Sequence, residues 1–164
     1  MRRLHKQQVD NMFIINCKNY NEISGEKINK LATIAEKISK KYKIQIAIAP
    51  PHHLLTSIKK SKLLVFAQHL DDAKIGSTTG YMIPEIVKKS KVNGALINHS
   101  EHRISSKEII NLVKRLKKLK MKTVVCVKNV QEAEKYAMES KLRKAMHTIV
   151  TYYCDAPFSC PFFS

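Results

Sequence analysis

Residues 94–127 read GALINHSEHRISSKEIINLVKRLKKLKMKTVVCV, and the order of signals in this stretch decides the fold class. Gly94–Ile97 is a short apolar run of strand character. Ser105 and Glu108 have the spacing of a capping box, which opens a helix. Ile109, Leu112, Val113, Leu116 and Leu119 then recur at helical spacing through Lys120. Thr123–Val127 (TVVCV) is β-branched again. Strand, helix and strand in this order form a βαβ unit, whose two strands lie parallel in one sheet with a right-handed crossover. The turn Asn98-His99-Ser100-Glu101 falls at the C-terminal end of a strand, where parallel α/β architectures gather their reactive groups.

The same rhythm extends outward. Met12–Lys18 (MFIINCK) predicts a first strand. Glu26–Tyr42 predicts an amphipathic helix, with Ile28, Leu31, Ile34, Ala35, Ile38 and Tyr42 at helical spacing. Ile44–Ala49 is a second strand, stopped by Pro50-Pro51, and His52–Lys60 reads as a short helix. Leu63–Ala67 is a third strand, and Pro84 suits the first turn of a helix reaching about Ser90. Asn129 and Glu132 can cap a last helix, from Val130 to about Glu139. Five consecutive βα units over residues 12–140 make the class α/β with a parallel sheet. Residues 141–164 break this rhythm and are expected to form a divergent, poorly packed tail. The alternative is that His147–Cys154 forms a strand covering an exposed sheet edge.

At 164 residues the chain has the size of one domain, with 44% apolar and 26% charged residues. No apolar run approaches membrane-spanning length. The basic start, Met1-Arg2-Arg3-Leu4-His5-Lys6, leads into polar residues, so no signal peptide is read and a cytoplasmic protein is expected. Thirty Lys and Arg against thirteen Asp and Glu give a net charge of +17, a field that favours anionic partners. The simpler account of that charge is lysine on the solvent faces of helices. No aromatic-interleaved basic motif or zinc-finger spacing is read, so nucleic-acid contact is expected only as a non-specific property. Cys17, Cys126, Cys154 and Cys160 show neither a CxxC pair nor metal-ligand spacing. Cys17 and Cys126 fall in predicted strands, as small core residues do.

Three strand ends carry groups suited to an anionic carbonyl substrate: Asn16-Cys17-Lys18, Gln68-His69 and Asn98-His99-Ser100-Glu101. Asn16-x-Lys18, Ala67-Gln68-His69, Gly76-x-x-Thr79-Gly80 and Asn98-His99-Ser100-Glu101-x-Arg103, in this order, resemble the triosephosphate isomerase family, in particular its archaeal branch. The resemblance covers roughly residues 12–140. It implies a partial (β/α)8 barrel and a glycolytic and gluconeogenic isomerase converting glyceraldehyde 3-phosphate to dihydroxyacetone phosphate. It also implies no metal, no organic cofactor and a homo-oligomer, dimer or tetramer. By the same resemblance Lys18 holds the substrate phosphate and Asn16 orients the substrate. His99 is the electrophile, kept neutral by a helical N-terminus, an arrangement for which this family is a standard example, and Glu101 pairs with Lys18. Thr79 and Gly80 lie on a loop that reaches a neighbouring subunit. His52, His53, Asp71, Asp72 and His102 are assigned surface positions and no role.

The sequence also departs from that pattern. The family's general base is a glutamate ending strand six, due by counting near His147, and no acid lies between Glu139 and Asp155. Asp155-Ala156-Pro157 echoes an acid-before-proline motif only faintly. Strands seven and eight, with their Gly-rich phosphate turns, are not read either. The expectation is therefore a family member truncated or frame-shifted after about Ser140, with turnover near background, because a positioned base is worth roughly 10²–10⁴ in rate. Two other readings remain open: a non-catalytic half-barrel that binds RNA or another polyanion, and a doubly wound, flavodoxin-like sheet. The second lacks a Gly-rich first turn.

Overall fold

The computed structural model describes residues 12–58, 61–139 and 148–152. Its elements, in chain order, are β1 (Met12–Asn16), α1 (Lys27–Tyr42), β2 (Gln45–Ala49), β3 (Leu64–Ala67), α2 (Pro84–Lys89), β4 (Gly94–Ile97), α3 (Ser106–Lys118), β5 (Lys122–Val127), α4 (Val130–Glu139) and β6 (Thr148–Tyr152). All six strands are parallel and stand side by side in sequence order, β1 to β6. A doubly wound sheet reverses direction at a switch point and so scrambles its strand order. No reversal occurs here, which removes the flavodoxin-like alternative.

Strands β2, β4 and β5 bury both faces, and this explains why they read as continuous apolar runs instead of alternating ones. One face meets the helices. There Ile28, Ala32 and Ala35 of α1 pack on Ile46 and Ile48 of β2. Further along the sheet, Ile109, Leu112, Val113 and Leu116 of α3 pack on Ala95, Ile97, Val125 and Val127. Burying each such large aliphatic side chain is worth about 1.5–3 kcal/mol. The opposite face gathers Ala47, Ala49, Phe66, Leu96 and Val124, with Met12, Ile14 and Leu64 at its margin. Phe66 fills so much of this interior that β4 must begin with glycine. A Cβ on Gly94 would stand 2.5 Å from the Lys122 carbonyl oxygen and 2.8 Å from the Phe66 ring.

Two local expectations change. The helix predicted over His52–Lys60 is a single 3-10 turn, His52–Leu54. Amides bond three residues back, from Leu54 to Pro51 and from Ser57 to Leu54, and residues 59–60 lie outside the described chain. The last stretch adds a sixth strand. Thr148–Tyr152 pairs with β5 in the register Thr123 to Thr148 through Val127 to Tyr152, the strand foreseen as the alternative for His147–Cys154. The expected division at residues 140 and 141 falls outside the described residues. The count that put the end of strand six near His147 is also corrected: β6 ends at Tyr152.

Candidate active site

Strand β1 ends because Lys18 turns left-handed, with φ +48, and the chain leaves the sheet. Non-glycine residues rarely adopt this conformation, and here hydrogen bonds hold it. The Lys18 amide donates to Asn16 Oδ1 at 3.1 Å. Gln68 Nε2 donates to the Lys18 carbonyl at 3.0 Å and to the Ala49 carbonyl at 3.2 Å. Gln68 thus ties the ends of β1, β2 and β3 together. The Lys18 side chain, so placed, reaches across the rim to Glu101 Oε1 at 2.6 Å.

Strand β4 ends in the same way. Asn98 is buried and left-handed, with φ +61. Its Nδ2 donates to the Cys126 carbonyl at 2.8 Å, and its Oδ1 accepts from the Ile104 amide at 3.2 Å. Arg103, itself paired with Glu132 at 2.6 Å, donates to the Asn98 carbonyl at 3.3 Å. This turn fixes His99, which is buried at 6% exposure. The Glu101 amide donates to His99 Nδ1 at 3.3 Å. A backbone N–H can only donate, so this contact favours the tautomer with its ring proton on Nε2, while Glu101 Oε2 stands 3.6 Å from the same Nδ1. Asn16 Nδ2 lies 3.4 Å from His99 Nε2, on the wall of the cleft.

That cleft, of about 660 Å³, is lined by Asn16, Lys18, Tyr20, Gln68, His99 and Glu101 together with His52, His53, His69 and His102. Lys18 holds the Glu101 carboxyl below its usual range through their hydrogen bond. His52, given a surface position from sequence, is half-buried, whereas His53 and His102 are exposed as expected although they line the cleft. His102 stacks on His69 with ring centroids 3.8 Å apart. His69 is buried, and its Nε2 faces Asp71 Oδ1 at 3.4 Å. His52 Nε2 is buried with no hydrogen-bond partner among the described residues. Burial pushes both His52 and His69 below the ordinary imidazole value, and the neighbouring imidazoles add to this while Asp71 opposes it. Asp71 and Asp72 are structural: Asp71 Oδ2 accepts from the Met82 amide at 2.6 Å, and Asp72 Oδ1 binds Arg115 at 2.8 Å. His52 was findable from sequence, because it follows directly on the Pro-Pro that ends a strand.

Thr79 and Gly80 stand apart from the cleft, on the exposed loop between β3 and α2. Cys17 and Cys126 are buried, and burial lifts the Cys17 thiol to about 11, so Cys17 is a packing residue and not a nucleophile. Among the described residues no cluster of His, Cys, Asp and Glu suits a metal ion, and no helix is long and apolar enough to cross a membrane.

Comparison with known proteins matches this geometry to one family. The family model described as "Triosephosphate isomerase" matches residues 11–156 and so continues through β6. A triosephosphate isomerase from Cenarchaeum symbiosum is 53% identical over 122 residues, covering 74% of this chain and 55% of that protein. One from Saccharolobus solfataricus is 38% identical, covering 71% and 52%. One from Methanocaldococcus jannaschii is 35% identical, covering 77% and 58%. The triosephosphate isomerase structure from Bartonella henselae superposes with a TM-score of 0.67 at 18% identity, covering 88% of this chain and 68% of that one, which supports the fold. The chain spans about half the length of the curated relatives it matches. With the family sequence pattern over most of the chain and a sequentially wound parallel sheet beneath it, the chain belongs to the triosephosphate isomerase family.

Proposed function

We propose that this chain binds a triose phosphate at the strand-end cleft and polarises its carbonyl, as one half of an aldose–ketose isomerase site. The observation that carries this reading is the convergence of Lys18, Asn16 and His99 on one rim. Lys18 is held by Glu101 at 2.6 Å, and Asn16 lies 3.4 Å from the His99 ring nitrogen. The ammonium supplies the charge that a phosphate and a developing enediolate require. A neutral imidazole with its proton on Nε2 can donate to the carbonyl oxygen and move a proton between the two oxygens. Preorganised donors of this kind act where charge develops, in a site that need not reorganise.

Isomerisation also requires a base to take the carbon-bound proton, and the sequence from residue 140 to 154 holds no carboxylate. Substrate binding is therefore expected with slow turnover, lower by about 10²–10⁴ for want of a positioned base. The exposed side chains of Ile75 and Tyr81 flank Thr79 and Gly80, which supports an oligomer contact for that loop. Two measurements test the reading. Titration calorimetry with dihydroxyacetone phosphate should show binding that Lys18→Met abolishes, and glyceraldehyde 3-phosphate should isomerise slowly. Absence of binding by the unaltered chain would end the proposal, while rapid turnover would end the argument from the base.

A further inference from the structure

The α-to-β turns of this chain share a sequence that the isomerase site does not use. Lys-Lys-x-Lys occurs at residues 40–43 (KKYK), 88–91 (KKSK) and 117–120 (KKLK), where α1, α2 and α3 give way to β2, β4 and β5. A fourth copy, 59–62, begins outside the described residues. Because every strand is parallel, the three described turns lie together at the N-terminal end of the sheet, opposite the cleft. The stretches around them carry no acid: none from residue 37 to 62, from 86 to 100, or from 109 to 131. Carboxylates such as Glu85, Glu101, Glu108 and Glu132 stand instead at helix starts and strand C-terminal ends.

The helix dipole, joined for Lys40 by an ion pair with Glu36 at 2.8 Å, accounts for the first two lysines of each motif, which meet the negative end of a helix. It does not account for the last. Lys43, Lys91 and Lys120 are all left-handed, with φ of +54, +63 and +53. That position after a helix ordinarily takes glycine or asparagine. Three lysines there, each exposed, hold strained backbone in exchange for charge at one end of the molecule. Neighbouring strands lie about 4.8 Å apart, so the turns before β2 and β5 are separated by roughly 14 Å along the sheet. Tyr42 stands in the first motif at 61% exposure, with Lys41 Nζ 5.2 Å from its ring centre. Tyr42 is the one aromatic within the three described motifs, which read from sequence as plain lysine runs.

We infer that the N-terminal face of the sheet, built on these three Lys-Lys-x-Lys turns and Tyr42, is a docking surface for single-stranded nucleic acid. A row of flexible ammonium groups fits a phosphate backbone without reading sequence. An exposed aromatic among them offers a stacking platform for a base, and the combination is that of single-strand binders. Stacking also separates this ligand from an anionic membrane, which would engage the lysines but has no base for Tyr42.

Anisotropy of a fluorescein-labelled oligouridylate of about 15 nucleotides tests the inference, titrated between about 50 and 200 mM salt. The affinity should fall steeply with salt. The triple variant Lys43→Asn, Lys91→Asn, Lys120→Asn should make the log–log slope shallower by about 2, at about 0.7 per phosphate contact on a single strand. Its melting temperature should hold or rise, since asparagine tolerates the left-handed backbone. Tyr42→Ala should weaken binding about tenfold and leave the slope unchanged. The control Lys27→Gln, Lys30→Gln, Lys114→Gln removes the same charge elsewhere on the helices. An equal loss in that control would reduce the effect to net charge and overturn the proposal. Binding to phosphatidylserine vesicles without binding to the oligouridylate would overturn it as well.

Discussion

At the residue scale, the cleft is held by backbone that most side chains avoid. Lys18 and Asn98 are left-handed non-glycine residues at the ends of β1 and β4, and each is pinned by side-chain hydrogen bonds. Asn98→Ala removes two of these bonds and keeps the strained φ, so a loss of about 2–4 kcal/mol is expected from urea unfolding. Asn98→Gly should recover part of it by relieving the backbone alone. The histidines bear on pH. His52 and His69 are held below 6.5 in the folded chain, chiefly by burial, so the unfolded chain takes up their protons more readily. Their contribution is present above about 6.5 and is lost as pH falls through the folded values, the direction that linkage requires. Thermal melts across that range should show stability falling towards acid, and His69→Gln should flatten the decline. A pH-independent melt would contradict the burial of these rings.

At the element scale, local signals and long-range clamps divide the work. The capping box of α3 formed as the sequence implies, with the Glu108 amide donating to Ser105 Oγ at 3.3 Å and the Ser105 amide to Glu108 Oε2 at 2.9 Å. Asn129 likewise caps α4, its Oδ1 accepting from the Glu132 amide at 2.9 Å. Such caps are legible because donor and acceptor are three residues apart. Arg115 has no such signature. On α3 it reads as one more cation among lysines, yet it grips Asp72 at 2.8 Å, the Ala73 carbonyl at 2.9 Å and Glu85 at 2.6 Å. These contacts hold the loop after β3 against two helices. Arg115→Met is expected to cost about 2 kcal/mol, since each bond is charge-assisted and partly shielded. Limited proteolysis should then cut first within residues 73–81, and cleavage elsewhere would deny Arg115 this role.

At the scale of the whole molecule, six strands in sequence order leave β1 and β6 paired on one side only among the described residues. Unpaired strand edges are templates for association. Phe13, at the β1 edge, is 60% exposed although it lies in a strand. Sedimentation over a range of concentrations should therefore reveal self-association, shifted towards monomer by Phe13→Lys. A chain that stays monomeric throughout would show that something else covers that edge. The interior face makes a separate demand. Phe66 is completely buried there, and Phe66→Ala should cost about 3–5 kcal/mol through the cavity it leaves.

The α/β class, the parallel sheet, four of the five expected βα units and the rim positions of Asn16, Lys18, His99 and Glu101 were legible in the chain, because helix and strand periods, caps and strand ends are written within a few residues. Other features depended on groups 28 to 83 residues apart, such as Asn98 with Cys126 and Lys18 with Glu101. The sixth strand came from a stretch whose local pattern is weak; a neighbouring edge in β5 supplied the partner for its backbone. The histidines round the cleft and the loop clamp by Arg115 emerged for the same reason. Imidazoles and guanidinium groups carry no periodicity, and only the closing of the sheet brings their partners within reach.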